Sequence, residues 1–363
     1  MQIASEWQGE LIERRKAIWD ITQATGCDIT LVYSNREHPE PFRYMTNFVP
    51  VLGDMWGIQT APEEMACVLN FHWELREARQ VSGLSDWHGC FDPYPFLVEK
   101  LANMKPFRIA VLGTAHMPWK LHQWISNTLG AELVPVDEQF NMLRRVKSSL
   151  EIQMLREAMR VTNLAFIQVQ SILQPGINEI EIAAEIMYIF NKNGCEAAFY
   201  PGVIGGIDSD SAVIARKPRP RPLEDGDTVM IDIGAAYQGY MADVARTFIL
   251  GKPTDLQQHV MDTVQRAYDA VIELCKPGTP CLLLHQTAQK IIEDAGYTLD
   301  HRIGHGFGLA TSFEWPNLIN ETAKLQPGNT IAIEPAIYRI GAGAMKIENC
   351  VLITEDGCEI MSL

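Results

Sequence analysis

The stretch TVMIDIGAAYQGYMADVARTFIL, residues 228–250, places two aspartates, Asp232 and Asp243, within apolar, strand-like sequence. A lone buried carboxylate is costly to desolvate and takes up a proton unless a cation or several donors compensate it. Two of them in one buried hairpin therefore ask for a partner. It lies further along the chain.

The C-terminal half contains an internal repeat. QPGINEIEIAAEIMYIFNKNG (174–194) and KPGTPCLLLHQTAQKIIEDAG (276–296) share a Pro-Gly turn, a helix of equal length and a terminal glycine. Pro175 matches Pro277 and Gly194 matches Gly296, each 102 positions on. At the same offset LEDGDTVMIDIGA, from Leu223, aligns without a gap on LQPGNTIAIEPAI, from Leu325, and Asp232 falls on Glu334. The second segment continues as TIAIEPAIYRIGAGAMKIENCVLI and brings in Glu348. Opposed residues of a hairpin share a constant sum of numbers, and residues an even number apart on a strand share a face. Asp232 and Asp243 are then expected to oppose each other about a turn in AYQGY, and Glu334 and Glu348 about Gly341. The two hairpins are expected as pseudo-symmetric halves of one sheet, with four carboxylates meeting at one point.

Four ionised carboxylates in a partly buried site repel one another strongly. Two divalent cations balance their charge, and carboxylates bridge metals roughly 3.5–4 Å apart in hydrolytic sites. His305 in HRIGHGFGLA is the candidate nitrogen ligand, and Gly304, Gly306 and Gly308 around it permit close backbone approach. Singly, each of these residues is more often structural. Two carboxylate pairs related by one gap-free repeat, with a glycine-flanked histidine between them, form the stronger pattern.

The 363-residue chain as a whole is long enough for two domains. It is 47% hydrophobic and 21% charged, and no apolar run approaches the roughly 18 residues of a membrane helix. The opening MQIASEWQGELIERRKAIWD reads as an amphipathic helix rather than a secretory signal, so a cytoplasmic location is expected. A formal charge of −15 disfavours nucleic-acid and anionic-membrane partners. The eight cysteines have neither CxxC nor zinc-ribbon spacing and are expected as reduced core residues. VIGGIDSDS and VLGTAHMPWK lack the features of phosphate or dinucleotide loops and read as turns. Residues 1–146 alternate strand-like runs (DITLVYS, MACVLNF, RIAVLG, AELVPV) with helical ones, an α/β pattern. A long helix follows, with Ser148 or Ser149 as N-cap and Glu151 in its first turn.

The segments DIGAAYQGYMADVARTF, GHGFGL, IEPAIY and KIENCVLITEDG resemble the catalytic domain of the methionine aminopeptidase, aminopeptidase P, prolidase and creatinase family. The pattern is closest to its two-domain Xaa-Pro peptidases. The resemblance implies a two-domain α/β fold class: a creatinase/prolidase-like α/β domain at 1–146 and a pita-bread α+β domain with an internal pseudo-two-fold repeat at 147–363. It also implies that Asp232 binds one metal, that Asp243 and Glu348 bridge both, and that His305 and Glu334 hold the second. Metal-bound water would attack an amide carbonyl, with His305 and Glu334 as the catalytic residues and Glu334 shuttling the proton to the leaving nitrogen. An oxygen-rich site with one imidazole suits Mn, Co, Fe or Zn.

The chain departs from this pattern in the substrate apparatus. Proline-cleaving relatives usually carry a histidine shortly before the LEDGD segment, whereas DSDSAVIARKPRPRPLEDGD has none. They usually show a His-Glu pair after the glycine-flanked histidine, where ATSFEWPNL puts Ser312 or Phe313. Ala336 replaces a usual glycine and Lys346 a usual arginine. Glu314, Trp315, Arg216, Tyr44 and Trp56 are the candidate substrate-binding residues, with Arg219 and Arg221 beside Arg216 in a basic loop. The expected function is hydrolysis of a small amide or peptide bond, Xaa-Pro dipeptidase- or aminopeptidase-like. The alternative is a member acting on a small metabolite, like creatinase, ectoine hydrolase or dimethylsulfoniopropionate lyase. A catalytically silent binding module is the remote third reading. The resemblance further implies a homodimer.

Overall fold

Ser148 caps the long helix Ser149–Ile172: its hydroxyl accepts from the Glu151 backbone N–H while the Glu151 carboxylate reaches back to the Ser148 N–H. The same reciprocal box recurs at Asn178 and Glu181 and at Thr254 and Gln257. These helices belong to the second of two units, Met1–Arg144 and Arg145–Leu363. The structure, a computed structural model, describes residues 2–309 and 314–362, of which residues 2–6 are described by backbone alone. Ser312 and Phe313 lie outside the described residues.

In the first unit the strand Ile29–Ser34 runs antiparallel to Met55–Gln59 and parallel to Arg108–Leu112, at the centre of a six-stranded sheet. All six of its residues are buried, as a sheet covered on both faces requires. Trp56 is 0% exposed and packs on Tyr33 with ring centroids 4.4 Å apart. Tyr44, 6% exposed, meets Phe140 edge-on and carries the Arg14 guanidinium 4.4 Å above its ring. As placed, both fill the core of this unit rather than present a face to a ligand.

The second unit shows the repeat directly. Glu179–Lys192 and Cys281–Asp294 are both helices of 14 residues, at the offset read from the sequence. The helix Asp255–Leu274 buries Val260, Val264, Ala267 and Val271 along one stripe, packed against Ile331, Ile333 and Val351. Each repeat contributes one carboxylate hairpin. The pairing of Ile333 with Asn349 and of Ala336 with Lys346 sets Glu334 opposite Glu348.

The other hairpin differs from expectation. Asp232 pairs with Ala245, because Gln238 and Gly239 form a two-residue turn with φ of 48° and 83°. Two left-handed residues match the twist of the flanking strands, and this turn lies one residue later than the sequence reading placed it. Asp232 and Asp243 are therefore diagonal neighbours. The hairpins also sit in separate hydrogen-bonded sheets instead of one. Side chains join them: Arg246 donates to the Glu348 carbonyl and to Asn349 Oδ1, and the Thr247 hydroxyl exchanges hydrogen bonds with the backbone of Lys346.

Candidate metal centre

Strand ends bring the polar side chains together. Asp232 is near the end of Thr228–Ile233, Asp243 precedes Val244–Ile249, Glu334 follows Thr330–Ile333 and Glu348 precedes Asn349–Ile353. His305 is the middle residue of Gly304–Gly306. A Cβ at Gly304 would lie 2.2 Å from the Ala332 carbonyl oxygen, and one at Gly306 would lie 2.1 Å from that of Trp315. The glycines thus let two strands close on the histidine. Cys350 fastens Asp243, accepting from its N–H at 3.3 Å and donating to its carbonyl at 3.1 Å.

Asp243, His305 and Glu348 each offer a ligand atom within 4.8 Å of the others. His305 Nδ1 lies 2.8 Å from the Gly306 carbonyl, which can only accept, so the proton of the neutral ring sits on Nδ1. Nε2 then turns its lone pair toward Asp243 Oδ2 at 3.4 Å and Glu334 Oε1 at 3.6 Å. Glu348 is fully buried, and its Oε1, like Asp232 Oδ1, has no hydrogen-bond donor among the described residues. An imidazole lone pair and orphaned carboxylate oxygens around one point fit a divalent cation.

One cation is already there. Lys346 Nζ lies 2.9 Å from Asp232 Oδ2, 2.7 Å from Glu334 Oε2 and 2.7 Å from Glu348 Oε2. The sequence showed a lysine in an arginine's place but did not put its head group among the carboxylates.

Burial, and then the charge of Asp232, pushes the Asp243 carboxyl well above the ordinary range. Burial, and then Asp243, does the same to Glu348. Burial also pushes Glu334 upward, but Lys346, His305 and His301 together outweigh it and hold that carboxyl below its usual value. Burial lowers His305, which favours the neutral ligand form. A metal binds the ionised forms of Asp243 and Glu348. Metal affinity should accordingly rise with pH above the ordinary carboxylate range, and Mn(II) binding in that range should release protons. Calorimetry in buffers of different ionisation enthalpy measures this; binding without proton release would contradict the assignment.

The cluster lies along a cavity of about 650 Å³ whose lining includes Asp232, Asp243, His305, Glu334 and Lys346. Phe199, Ile214, Met241, Phe307 and Ile319 supply apolar wall. None of these five was singled out from the sequence, because their convergence depends on loops meeting in space. His301 was missed as well; it lines the same cavity and its Nε2 is 2.9 Å from the Tyr338 hydroxyl.

The candidate substrate residues of this unit have structural partners. Glu314 forms a buried ion pair with Lys147 at 2.9 Å. Trp315 lies beneath the Arg145 guanidinium, 4.1 Å from the ring centroid, and its indole N–H donates to Glu321. Arg216 holds both oxygens of the fully buried Glu179, at 2.5 and 2.7 Å, so its guanidinium already has a structural partner. Arg219 also borders Glu179, and Arg221 pairs with Asp227. Replacing Arg216 by alanine should cost about 3 kcal/mol of stability by leaving Glu179 undercompensated, with KM little changed. A raised KM at unaltered melting temperature would return Arg216 to the substrate site.

A sequence profile of metallopeptidase family M24 matches residues 153–355. The chain belongs to that family. It is 33% identical to an Xaa-Pro dipeptidase of Pyrococcus furiosus over 232 residues, 63% of this chain and 66% of that protein. It is 29% identical to the uncharacterized peptidase YqhT of Bacillus subtilis over 348 residues, 92% of each chain. The aligned part thus spans just under two thirds of the Pyrococcus dipeptidases, 66% and 65% of their lengths. Among solved structures, the prolidase of Pyrococcus horikoshii OT3 superposes with a TM-score of 0.87 at 26% identity, covering 97% of this chain and 98% of that one. An X-Pro aminopeptidase of Thermotoga maritima also gives 0.87 at 26% identity, covering 96% and 97%. This M24 chain therefore has the two-domain pita-bread fold. Among the described residues, no helix is long and apolar enough to cross a membrane.

Proposed function

We propose that this M24 protein is a metal-dependent hydrolase of a short peptide or small amide, similar to an Xaa-Pro dipeptidase or aminopeptidase. The observation that carries this reading is the convergence of Asp243, His305 and Glu348 beside a largely apolar cavity. Asp232 and Glu334 complete the proposed metal pocket. A divalent ion bound there supplies an activated water near neutral pH and polarises the scissile carbonyl. The chain's own residues do the rest. His305 is held neutral and oriented by its bond to the Gly306 carbonyl. Glu334, held ionised, takes the water's proton and delivers it to the leaving nitrogen. Phe199, Ile214 and Ile319 offer an apolar surface to a proline ring or similar side chain.

A second reading, a non-peptidase acting on a small metabolite, is favoured by the commitment of Arg216 to Glu179, which leaves the missing histidine unreplaced there. The test compares Mn(II)- or Co(II)-loaded and chelated protein on Xaa-Pro dipeptides, longer Xaa-Pro peptides, creatine, ectoine and dimethylsulfoniopropionate. Chelation should abolish turnover and added metal restore it. Metal-dependent release of proline, or cleavage before it, supports the first reading; turnover of a metabolite alone supports the second, with its metal dependence telling whether the metal centre or only the scaffold is used; full activity on peptides without metal would sink the first. A cytoplasmic homodimer is part of the proposal, the dimer being checked by light scattering in solution.

A further inference from the structure

We propose that the Lys346 ammonium takes the place of one of the two divalent ions that the five-ligand set would otherwise hold, so that each chain binds a single ion at Asp243, His305 and Glu348. This inference rests on the functional reading above and concerns how many ions that site holds.

The geometry is that of a cation site filled from within. Nζ lies 2.7–2.9 Å from oxygens of Asp232, Glu334 and Glu348, and the side chain is only 8% exposed. An ammonium carries three N–H donors, and three carboxylates surround this one. The contact with Asp232 is a hydrogen bond, and the approaches to Glu334 and Glu348 are close ion pairs.

The backbone holds the lysine in this position. Lys346 ends the strand Gly343–Lys346 opposite Ala336, and both its N–H and its carbonyl are bonded to the Thr247 hydroxyl. It stands two residues before Glu348, so the two side chains leave the extended chain on the same side. An arginine there would present a broad planar fork suited to pairs of in-plane oxygens. A lysine presents a compact point charge that enters the space a metal ion would fill.

The charges agree with one ion. A single dication with Lys346 and the Arg302 guanidinium, 3.8 Å from Glu334 Oε1, matches the four negative charges of Asp232, Asp243, Glu334 and Glu348. A second dication would leave a surplus of two positive charges in a buried site. It would also share the oxygens of Asp232 and Glu348 with the ammonium, at distances where like charges repel strongly. Lys346 thus contacts one oxygen each of Asp232, Glu334 and Glu348, while Asp243, His305 and Glu348 offer ligand atoms grouped about one point beside it. Lys346 is a positioning residue: its ammonium holds the Asp232 and Glu334 carboxylates in place.

The test is metal stoichiometry. Full-length protein is dialysed to equilibrium against Mn(II), and bound metal per chain is measured by mass spectrometry, with electron paramagnetic resonance separating isolated from exchange-coupled ions. The wild type should saturate at one isolated ion per chain. Lys346→Met, of similar length and uncharged, should saturate at two coupled ions. Two ions in the wild type would overturn the proposal and leave the hydrolase reading intact. One ion in Lys346→Met would also overturn it, since something other than the ammonium would then exclude the second. No ion in the wild type would defeat the functional reading as well. Should Lys346→Met fail to fold, the wild-type stoichiometry decides alone.

Discussion

Replacing His305 by alanine should weaken Mn(II) binding by more than about 100-fold, with hydrolysis falling in step. Loss of an outer hydrogen-bond partner of a metal ligand already costs about 10- to 100-fold in affinity or activity, and His305 supplies the one nitrogen donor of the Asp243, His305 and Glu348 group. The side chain is also nearly enclosed between strands that close on Gly304 and Gly306. Alanine leaves a space but no clash, so the fold should survive. The measurement pairs a metal titration with a melting curve. Unchanged metal affinity in a folded variant would remove His305 from the site.

Replacing Glu334 by glutamine should leave one ion bound and lower kcat by about 10²- to 10⁴-fold, the usual contribution of a positioned acid–base group. Glutamine keeps the shape but cannot take up the proton. Lys346 retains Asp232 and Glu348 as partners, so the cluster loses one of its three contacts to that lysine rather than its whole compensation. A fall confined to KM would instead make Glu334 a binding residue. Loss of the ion from a folded Glu334→Gln variant would make it an indispensable ligand.

These effects involve residues that the sequence made visible because duplication marked them. The gap-free match of Asp232 to Glu334 survives as two hairpins preceded by equal helices, and glycine on either side of His305 reflects strands that leave no room for a Cβ. The register of the first hairpin was less legible. AYQGY admits more than one turn centre, and the left-handed pair Gln238-Gly239 selects the one that makes Asp232 and Asp243 diagonal. Pairings distant in sequence were not legible at all. Arg216 resembled an anion contact in a basic loop because nothing local announces that Glu179, at the start of a helix, needs its charge. Lys346 was visible only as a departure from an arginine. Its place among three carboxylates follows from strand ends and sheet contacts that meet only in the folded unit.

The central claim is that Asp243, His305 and Glu348 hold the ion on which hydrolysis depends. An anomalous difference map from crystals soaked in Mn(II) tests it most directly. One peak is expected within bonding distance of His305 Nε2 and of the Asp243 and Glu348 carboxylates, with Lys346 still between Asp232 and Glu334. A soaked site with no peak there, or a peak held by other residues, would contradict it.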